Sequence, residues 1–232
     1  MLLDFLQGGF SLSGAVIHIA VIALMIFLIL PVHEFAHAGV ALLLGDKSIK
    51  SRGRLSLNPL VHIDIMGALC MLLFGFGWAK AVPINPTYFK KPKLYMGIVA
   101  LAGPVSNIIC GLLGGVLMLI IRLVFPLIAP AVASVEVYNV LVKILNFVIT
   151  FLAVYININV TLAVFNLLPI PPLDGSKILF VLLPDKAVEF CYRYQMIFTL
   201  VLYALLFTGL LNGPISFISG YLFDFCSLSF IG

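Results

Sequence analysis

Apolar residues run along this chain in long blocks, and short polar stretches separate one block from the next. A helix needs about 20 mainly apolar residues to cross a hydrocarbon core of ~30 Å. Most of the blocks reach or approach that length, so the pattern predicts an all-α polytopic membrane protein with about five transmembrane helices. The predicted helices lie at about 14–44, 94–125, 138–165, 194–211 and 214–231.

A shorter apolar block at 65–78 contains three glycines and has positively charged loops on both sides. Loops rich in Lys and Arg stay on the cytoplasmic side of a membrane, so both flanks should lie on one side. We therefore predict that residues 60–79 form a re-entrant element. Residues 50–57, just before it, alternate weakly between polar and apolar positions, which predicts a short β-hairpin near the site described below.

The same charge rule orients the whole chain. The loop at 45–58 holds two lysines and two arginines, and further lysines and arginines lie at 80–93 and 176–193. These three loops are therefore predicted to be cytoplasmic, with the N-terminus outside the cell.

Composition agrees with a membrane location. Of 232 residues, 63% are hydrophobic and only 9% are charged, whereas soluble domains are about a quarter charged. The lipid bilayer is thus an expected partner. The net charge of +4 is small and scattered, so nucleic acid is not expected. The four cysteines form no C-x-x-C pair, so they indicate neither a cysteine zinc site nor a disulfide framework.

The first apolar block carries the most specific chemistry, His33-Glu34-x-x-His37. Residues four apart share a helix face, so the two imidazoles can bind one Zn²⁺ while Glu34 serves as general base. Zinc lowers the pKa of a bound water to about 7, which suits amide hydrolysis. These polar groups are costly in lipid and should face protein or a water-filled cavity. Pro31 lies just before them and predicts a kink.

A third zinc ligand must come from elsewhere in the chain. The candidates on the cytoplasmic side are Asp174, His62 and Asp64, and a His₃ site is chemically as reasonable as His₂Asp. We favour Asp174, because it lies on proline-broken backbone that directly continues an apolar block. Gly175 behind it permits a sharp turn.

Several motifs in this order resemble the site-2 protease family of intramembrane zinc metalloproteases, and in particular its compact prokaryotic branch without PDZ or CBS domains. The resemblance covers about residues 15–183. Its motifs are His33-Glu34-x-x-His37, Asn58-Pro59 with His62-x-Asp64, 77–86, Ala102-Gly103-Pro104-x-x-Asn107 and the Asn166–Gly175 segment that ends in Leu173-Asp174-Gly175.

The resemblance implies an activity and a set of roles. One zinc ion per chain is held by His33, His37 and Asp174, Glu34 activates water, and Asn166 helps to position the substrate or the oxyanion. The substrates are transmembrane proteins, cleaved within or near their membrane segments in regulated intramembrane proteolysis. The location implied is a prokaryotic cell membrane, with the active site toward the cytoplasm. Residues 1–232 are expected to form one membrane-embedded domain, in which 194–231 add further helices.

Two other interpretations fit parts of the pattern. Intramembrane His, Glu and Asp residues on broken helices also occur in small metal or proton transporters, although these usually show duplicated halves. A non-catalytic homologue would keep the fold, but the intact motifs argue against it. Gly111 and Gly115 permit close helix contact, so an oligomer through glycine-containing faces is an additional expectation.

Overall fold

A computed structural model describes residues 12–74, 77–131 and 134–229. Within these ranges the protein is helical and contains no strand. Short 3₁₀ turns occur at Pro59–Val61, Pro86–Tyr88 and Ala129–Ala131. The α-helices are α1 (Leu12–Leu24), α2 (Leu30–Leu43), α3 (Ser48–Ser51), α4 (Ile65–Phe74), α5 (Pro92–Ile128), α6 (Val135–Asn166), α7 (Asp174–Phe180), α8 (Asp185–Arg193), α9 (Gln195–Phe207) and α10 (Asn212–Cys226).

Among the described residues, three helical stretches are long and apolar enough to cross a membrane, namely Val16–Leu43, α5 and α6, with 28, 37 and 32 residues. The pair α8 and α9 makes a fourth if it is one span broken by a bend of 68°. A membrane protein is therefore supported, whereas the predicted count of about five spans is not reached among the described residues. The helix α4 has 10 residues and is about 15 Å long, half of what a crossing needs.

The first long stretch is continuous but changes its winding before Pro31. Residues Met25–Ile29 form a π-helical turn, in which the amide of Leu30 donates to the carbonyl of Met25. Proline lacks an amide and its ring crowds the carbonyl four residues earlier. The wider turn accommodates both effects, so the helix continues through Pro31 by way of a π turn ahead of α2, while the predicted kink stays a prediction.

The β-hairpin predicted at 50–57 is wrong. The chain forms the helical turn α3 there, and Gly53 follows it with a φ of 63°. The Asp46 carboxylate accepts a hydrogen bond from the amide of Ser48 at 3.0 Å and so satisfies a free donor at the start of the turn. At the other end of the turn, the amide of Arg54 donates a hydrogen bond to the carbonyl of Ile49. These local hydrogen bonds outweigh a weak alternation of polarity.

The chain divides into two compact units. The first ends at Ser106 and resumes at Asn166–Leu200, and it contains every residue of the candidate site described below. Its core holds Ala38 and Ala41 of α2, whose small side chains let the irregular segment 80–85 lie close to that helix. The buried members are Ala38, Ala41, Ile49, Val82, Phe89 and Val99.

The second unit comprises Asn107–Phe165 and the chain from Val201 onward. Its core contains Met118, Leu152, Ile156, Val160 and Cys226. A side chain at Gly115 would collide with the carbonyl oxygen of Cys226, and Gly111 faces the same residue. This glycine pair thus serves packing within the chain. The association of several copies of the chain through glycine-containing helix faces stays a prediction. The organisation of residues 1–232 as one membrane-embedded domain also stays a prediction.

Candidate metal centre

The two histidines of the His33-Glu34-x-x-His37 motif lie one turn apart on α2. Their Nε2 atoms are 3.1 Å from each other, and the rings meet edge to face with centroids 4.7 Å apart. Only 3% of His33 and 6% of His37 is exposed. The predicted adjacency is therefore present, and both side chains are buried.

Asp174 joins them from the first residue of α7. Its Oδ2 lies 3.1 Å from His37 Nε2 and 3.4 Å from His33 Nε2. The prolines before it end α6 and keep the chain irregular from 167 to 173, and the amide of Leu173 donates to the carbonyl of Ile170 just before α7 begins. A side chain at Gly175 would collide with the carbonyl oxygen of Leu167, so only glycine permits this close turn behind the carboxylate.

The three groups fit the ligand set of one metal ion. Their nitrogen and oxygen atoms all lie within 4.8 Å of one another. Two ligand atoms bound at about 2.0–2.1 Å to a tetrahedral zinc ion are separated by about 3.3–3.4 Å. The separations of 3.1, 3.1 and 3.4 Å in this structure are close to that value. Three protein ligands leave a fourth position open, as in catalytic rather than structural zinc sites.

The hydrogen bonds around His37 also favour a cation. Its Nδ1 lies 2.7 Å from the carbonyl oxygen of Val99, which can only accept, so Nδ1 carries the proton. In the neutral ring Nε2 then presents a lone pair toward Asp174 Oδ2. Two acceptors at 3.1 Å repel unless a proton or a metal ion lies between them, and a metal ion bound by both groups meets that need. Such an outer hydrogen bond to a backbone carbonyl is typical of metal-binding histidines.

Asp174 is ionised in this setting. Burial raises the pKa of its carboxyl, but hydrogen bonds from the His33 and His37 rings in their protonated form, together with the charges of His37 and Lys177, outweigh burial and hold that pKa well below its usual range. Lys177 Nζ donates to the second oxygen, Oδ1, at 3.1 Å. Oδ2 is thereby left directed at the histidines.

Gly103 of α5 provides the space for both imidazoles. A Cβ at this position would lie 2.6 Å from His33 Nε2, 2.5 Å from His33 Cε1 and closer still to His37 Nε2. These nitrogens are the atoms that would bind a metal, so they cannot rotate away without dismantling the group. Val99, one turn earlier on the same helix, supplies the carbonyl that orients His37.

Replacing Gly103 by alanine should therefore displace the histidines and weaken metal binding about 10- to 100-fold, the range found when outer-shell support of a metal ligand is lost. The matched control is Gly39→Ala on α2, because a Cβ there meets no atom within 4 Å. Metal content of the purified variants, measured by mass spectrometry, checks the expectation. Equal zinc in both variants would show that the site tolerates the added methyl group.

Glu34 lies beside the metal-binding group but is not part of it. Its side chain is buried, and Oε2 accepts a hydrogen bond from the backbone amide of Val82 at 3.0 Å. One carboxylate oxygen is thus held by the protein, which leaves Oε1 for a reacting water. This is the arrangement that a general base requires.

The other predicted candidates lie outside the group. Buried His62 uses Nε2 to donate to the carbonyl of Ser56 at 2.8 Å, and Asp64 accepts from the amide of Gly67 at the start of α4. Both are structural hydrogen bonds. Asn166 is the last residue of α6, and its proposed role in binding stays a prediction.

Sequence reasoning missed the backbone groups of Val82 and Val99 and the steric role of Gly103. Backbone donors and acceptors leave no mark in a sequence, whereas Gly103 lies in the Ala102-Gly103-Pro104 motif, which carries a family resemblance but not the steric reason for a glycine. Lys177 was recognisable in principle, since it follows Asp174 by three residues on a helix.

Comparisons with known proteins agree with this geometry. The sequence model of Peptidase family M50 matches residues 21–209. "Putative zinc metalloprotease YwhC" of Bacillus subtilis (strain 168) is 38% identical over 152 residues, which cover 66% of this chain and 64% of that protein.

"Putative zinc metalloprotease Rip2" of Mycolicibacterium smegmatis is 34% identical over 86 residues, which cover 35% of this chain and 33% of that protein. The alignments thus span less than two thirds of either relative. No solved structure matches the chain significantly. The family match covers most of the chain and includes His33, Glu34, His37 and Asp174, so the predicted membership is confirmed: the chain belongs to peptidase family M50, the site-2 protease family.

Proposed function

We propose that this protein is an intramembrane zinc metalloprotease that hydrolyses peptide bonds within or near transmembrane segments of membrane proteins. The observation that carries the proposal is the buried convergence of His33, His37 and Asp174 beside Glu34. Two of the three metal-binding groups lie on a helix that is apolar and long enough to cross a membrane. The family match and the names of the two relatives support the same activity.

In this proposal His33, His37 and Asp174 hold one Zn²⁺ ion. When bound, zinc makes a water molecule nucleophilic at neutral pH and polarises the carbonyl of the peptide bond. Glu34 takes a proton from the attacking water through Oε1, while the amide of Val82 fixes Oε2. Glu34 then gives that proton to the leaving amine, so that one water yields one carboxylic acid and one amine.

Asn166 is proposed to donate a hydrogen bond to the substrate backbone or to the developing oxyanion. A helical substrate has satisfied backbone hydrogen bonds and must unwind locally before cleavage. The irregular segment 167–173 connects Asn166, the last residue of α6, to Asp174, the first residue of α7. Asn166 is therefore separated from a proposed metal ligand only by this short segment.

The proposed setting is a prokaryotic cell membrane, in which the protein crosses the bilayer several times and acts in regulated intramembrane proteolysis. The full prediction of about five spans requires α9 and α10 to cross as well, with 13 and 15 residues in regular helix. The proposed partners are a transmembrane substrate, the lipid bilayer and, through glycine-containing helix faces, further copies of the chain.

The topology can be tested directly. With the N-terminus outside and a re-entrant 60–79, cysteines placed at Ser51, Thr87 and Lys186 should all react with a membrane-impermeant reagent from the cytoplasmic side. The four native cysteines are first replaced by serine or alanine. Labelling of Thr87→Cys from the opposite side to Ser51→Cys would mean that residues 60–79 span the membrane.

The activity is tested by incubating purified protein with a single-span test substrate, with and without a zinc chelator. Cleavage that stops on chelation and returns when zinc is added supports the proposal. A transporter would leave the substrate intact under every condition, and flux of protons or zinc into liposomes holding the protein would identify it. A non-catalytic homologue would bind the substrate without cleaving it.

A further inference from the structure

An irregular segment, residues 80–85, packs beside α2 and is held by its backbone amides. Val82 donates to Glu34 Oε2 at 3.0 Å, and Asn85 donates to Asp46 Oδ2 at 2.7 Å. Lys80 donates to the carbonyl of His62 at 2.8 Å. Two of the three acceptors are therefore carboxylates that belong to α2 or to the turn directly after it.

The Asp46 carboxylate is completely buried and fully engaged with donors. Its exposed fraction is 0%. Oδ1 accepts from the amide of Ser48 at 3.0 Å and from its hydroxyl at 2.6 Å, while Oδ2 accepts from Asn85. A buried carboxylate is tolerated only when its oxygens are paired in this way, so the contact with Asn85 is a fixed link and not a passing surface interaction.

Asp46 is also rigidly attached to the helix that carries Glu34. Gly45 follows the end of α2 with a φ of 118°, and the amide of Asp46 donates a hydrogen bond to the carbonyl of Ala41 in α2 at 2.9 Å. On the other side of the link, Val82 is 7% exposed and packs in the same core as Ala38 and Ala41. The 80–85 segment is thus pinned to α2 at two positions, Glu34 and Asp46.

We propose that Asp46 is a positioning residue for the general base. By holding Asn85, Asp46 keeps the amide of Val82 where it can hold Glu34 Oε2, and Oε1 is thereby directed at the reacting water. The inference rests on the proposed protease function of Glu34. Catalytic groups must be held within about 0.5 Å of their productive position by neighbours that are themselves fixed, and the buried Asp46 link meets that need.

The central test compares Asp46→Asn with Ser48→Ala in the full-length protein. Ser48 donates to one oxygen of Asp46 and Asn85 to the other, so in an asparagine one of these two positions is taken by a donor amide that cannot accept. Ser48→Ala removes a neighbouring hydrogen bond but leaves the link to Asn85. We expect Asp46→Asn to lower kcat about 10-fold or more with KM changed less than about 2-fold, while zinc content stays at the wild-type level. Ser48→Ala should keep kcat within about 2-fold of the wild type.

A double-mutant cycle tests the route through Val82. Val82→Pro removes the amide that holds Glu34, whereas Val82→Ala removes most of the side chain and keeps the amide. Asp46→Asn should lower kcat little further in the Val82→Pro background and by its full factor in the Val82→Ala background. Full additivity of Asp46→Asn with Val82→Pro would overturn the proposal.

Amide hydrogen exchange gives a readout that does not depend on proteolysis. Residues 80–85 should exchange faster in Asp46→Asn than in the wild type and at the wild-type rate in Ser48→Ala. Unchanged exchange, an unchanged kcat, or loss of zinc from Asp46→Asn would each overturn the role given to Asp46. If the wild type fails to cleave any test substrate, the protease proposal falls, while faster exchange in Asp46→Asn would still show that Asp46 holds this segment.

Discussion

Replacing Glu34 by glutamine should lower peptide-bond cleavage at least ~10²-fold while the zinc content stays unchanged. Glutamine keeps the size of the side chain, and its carbonyl oxygen can still accept the hydrogen bond from Val82. It has no basic oxygen to take the proton of the attacking water. Because Glu34 lies outside the group formed by His33, His37 and Asp174, its charge is not needed to hold the metal.

The matched control is Glu189→Gln on α8, which makes the same chemical change on an exposed surface and should keep full activity. Cleavage of the single-span test substrate and zinc content are measured on the same preparations. Zinc lost together with activity in Glu34→Gln would contradict the role of Glu34 as a base and would place it among the ligands.

Replacing Asp174 by asparagine should lower both zinc occupancy and cleavage. The substitution removes the negative charge that balances the metal ion and leaves a weaker amide ligand beside His33 and His37. We expect zinc affinity to fall more than about 10-fold, which is at least the cost of disturbing an outer-shell partner. His62→Ala should retain most of the zinc, since that ring hydrogen-bonds to Ser56 and lies outside the metal-binding group.

Asp185→Asn is the control for this prediction. Asp185 lies on α8 and forms an exposed ion pair with Lys93, so its loss should change stability little and zinc content not at all. Zinc titration by calorimetry or a competing chelator gives the affinities. Full zinc retention in Asp174→Asn together with loss in His62→Ala would reverse the assignment of the third ligand.

The sequence by itself was sufficient where a strong local pattern fixes the structure. Long apolar blocks predict helices that can cross a membrane, and the described residues include three that are long and apolar enough to do so, although the shorter final blocks form helices of only 13 and 15 residues. The spacing of His33 and His37 places both rings on one helix face by geometry alone. The prolines before Asp174 end α6 for equally local reasons, because they restrict the backbone around them.

Tertiary structure decided everything that depends on distant segments meeting. Asp174 follows His37 by 137 positions, and only the folded chain shows its Oδ2 at 3.1 Å from the ring. No periodic pattern in the sequence predicts three further features of the site. These are the hydrogen bond from the Val82 amide to Glu34, the hydrogen bond between His37 and the Val99 carbonyl, and the space that Gly103 leaves for the imidazoles. A backbone group is the same at every residue, so its role is set by which side chain the fold brings to it.

The wrong prediction of a hairpin at 50–57 has a local cause. Alternating polarity predicts a hairpin, whose two strands lie in the same stretch, but this weak alternation is outweighed by other local hydrogen bonds. Buried Asp46 instead bonds both Ser48 nearby and Asn85 far along the chain, and the first of these bonds starts a helical turn. Hydrophobic pattern and helix spacing determined the framework and two of the three candidate metal ligands, while long-range hydrogen bonds and steric fit determined the remainder.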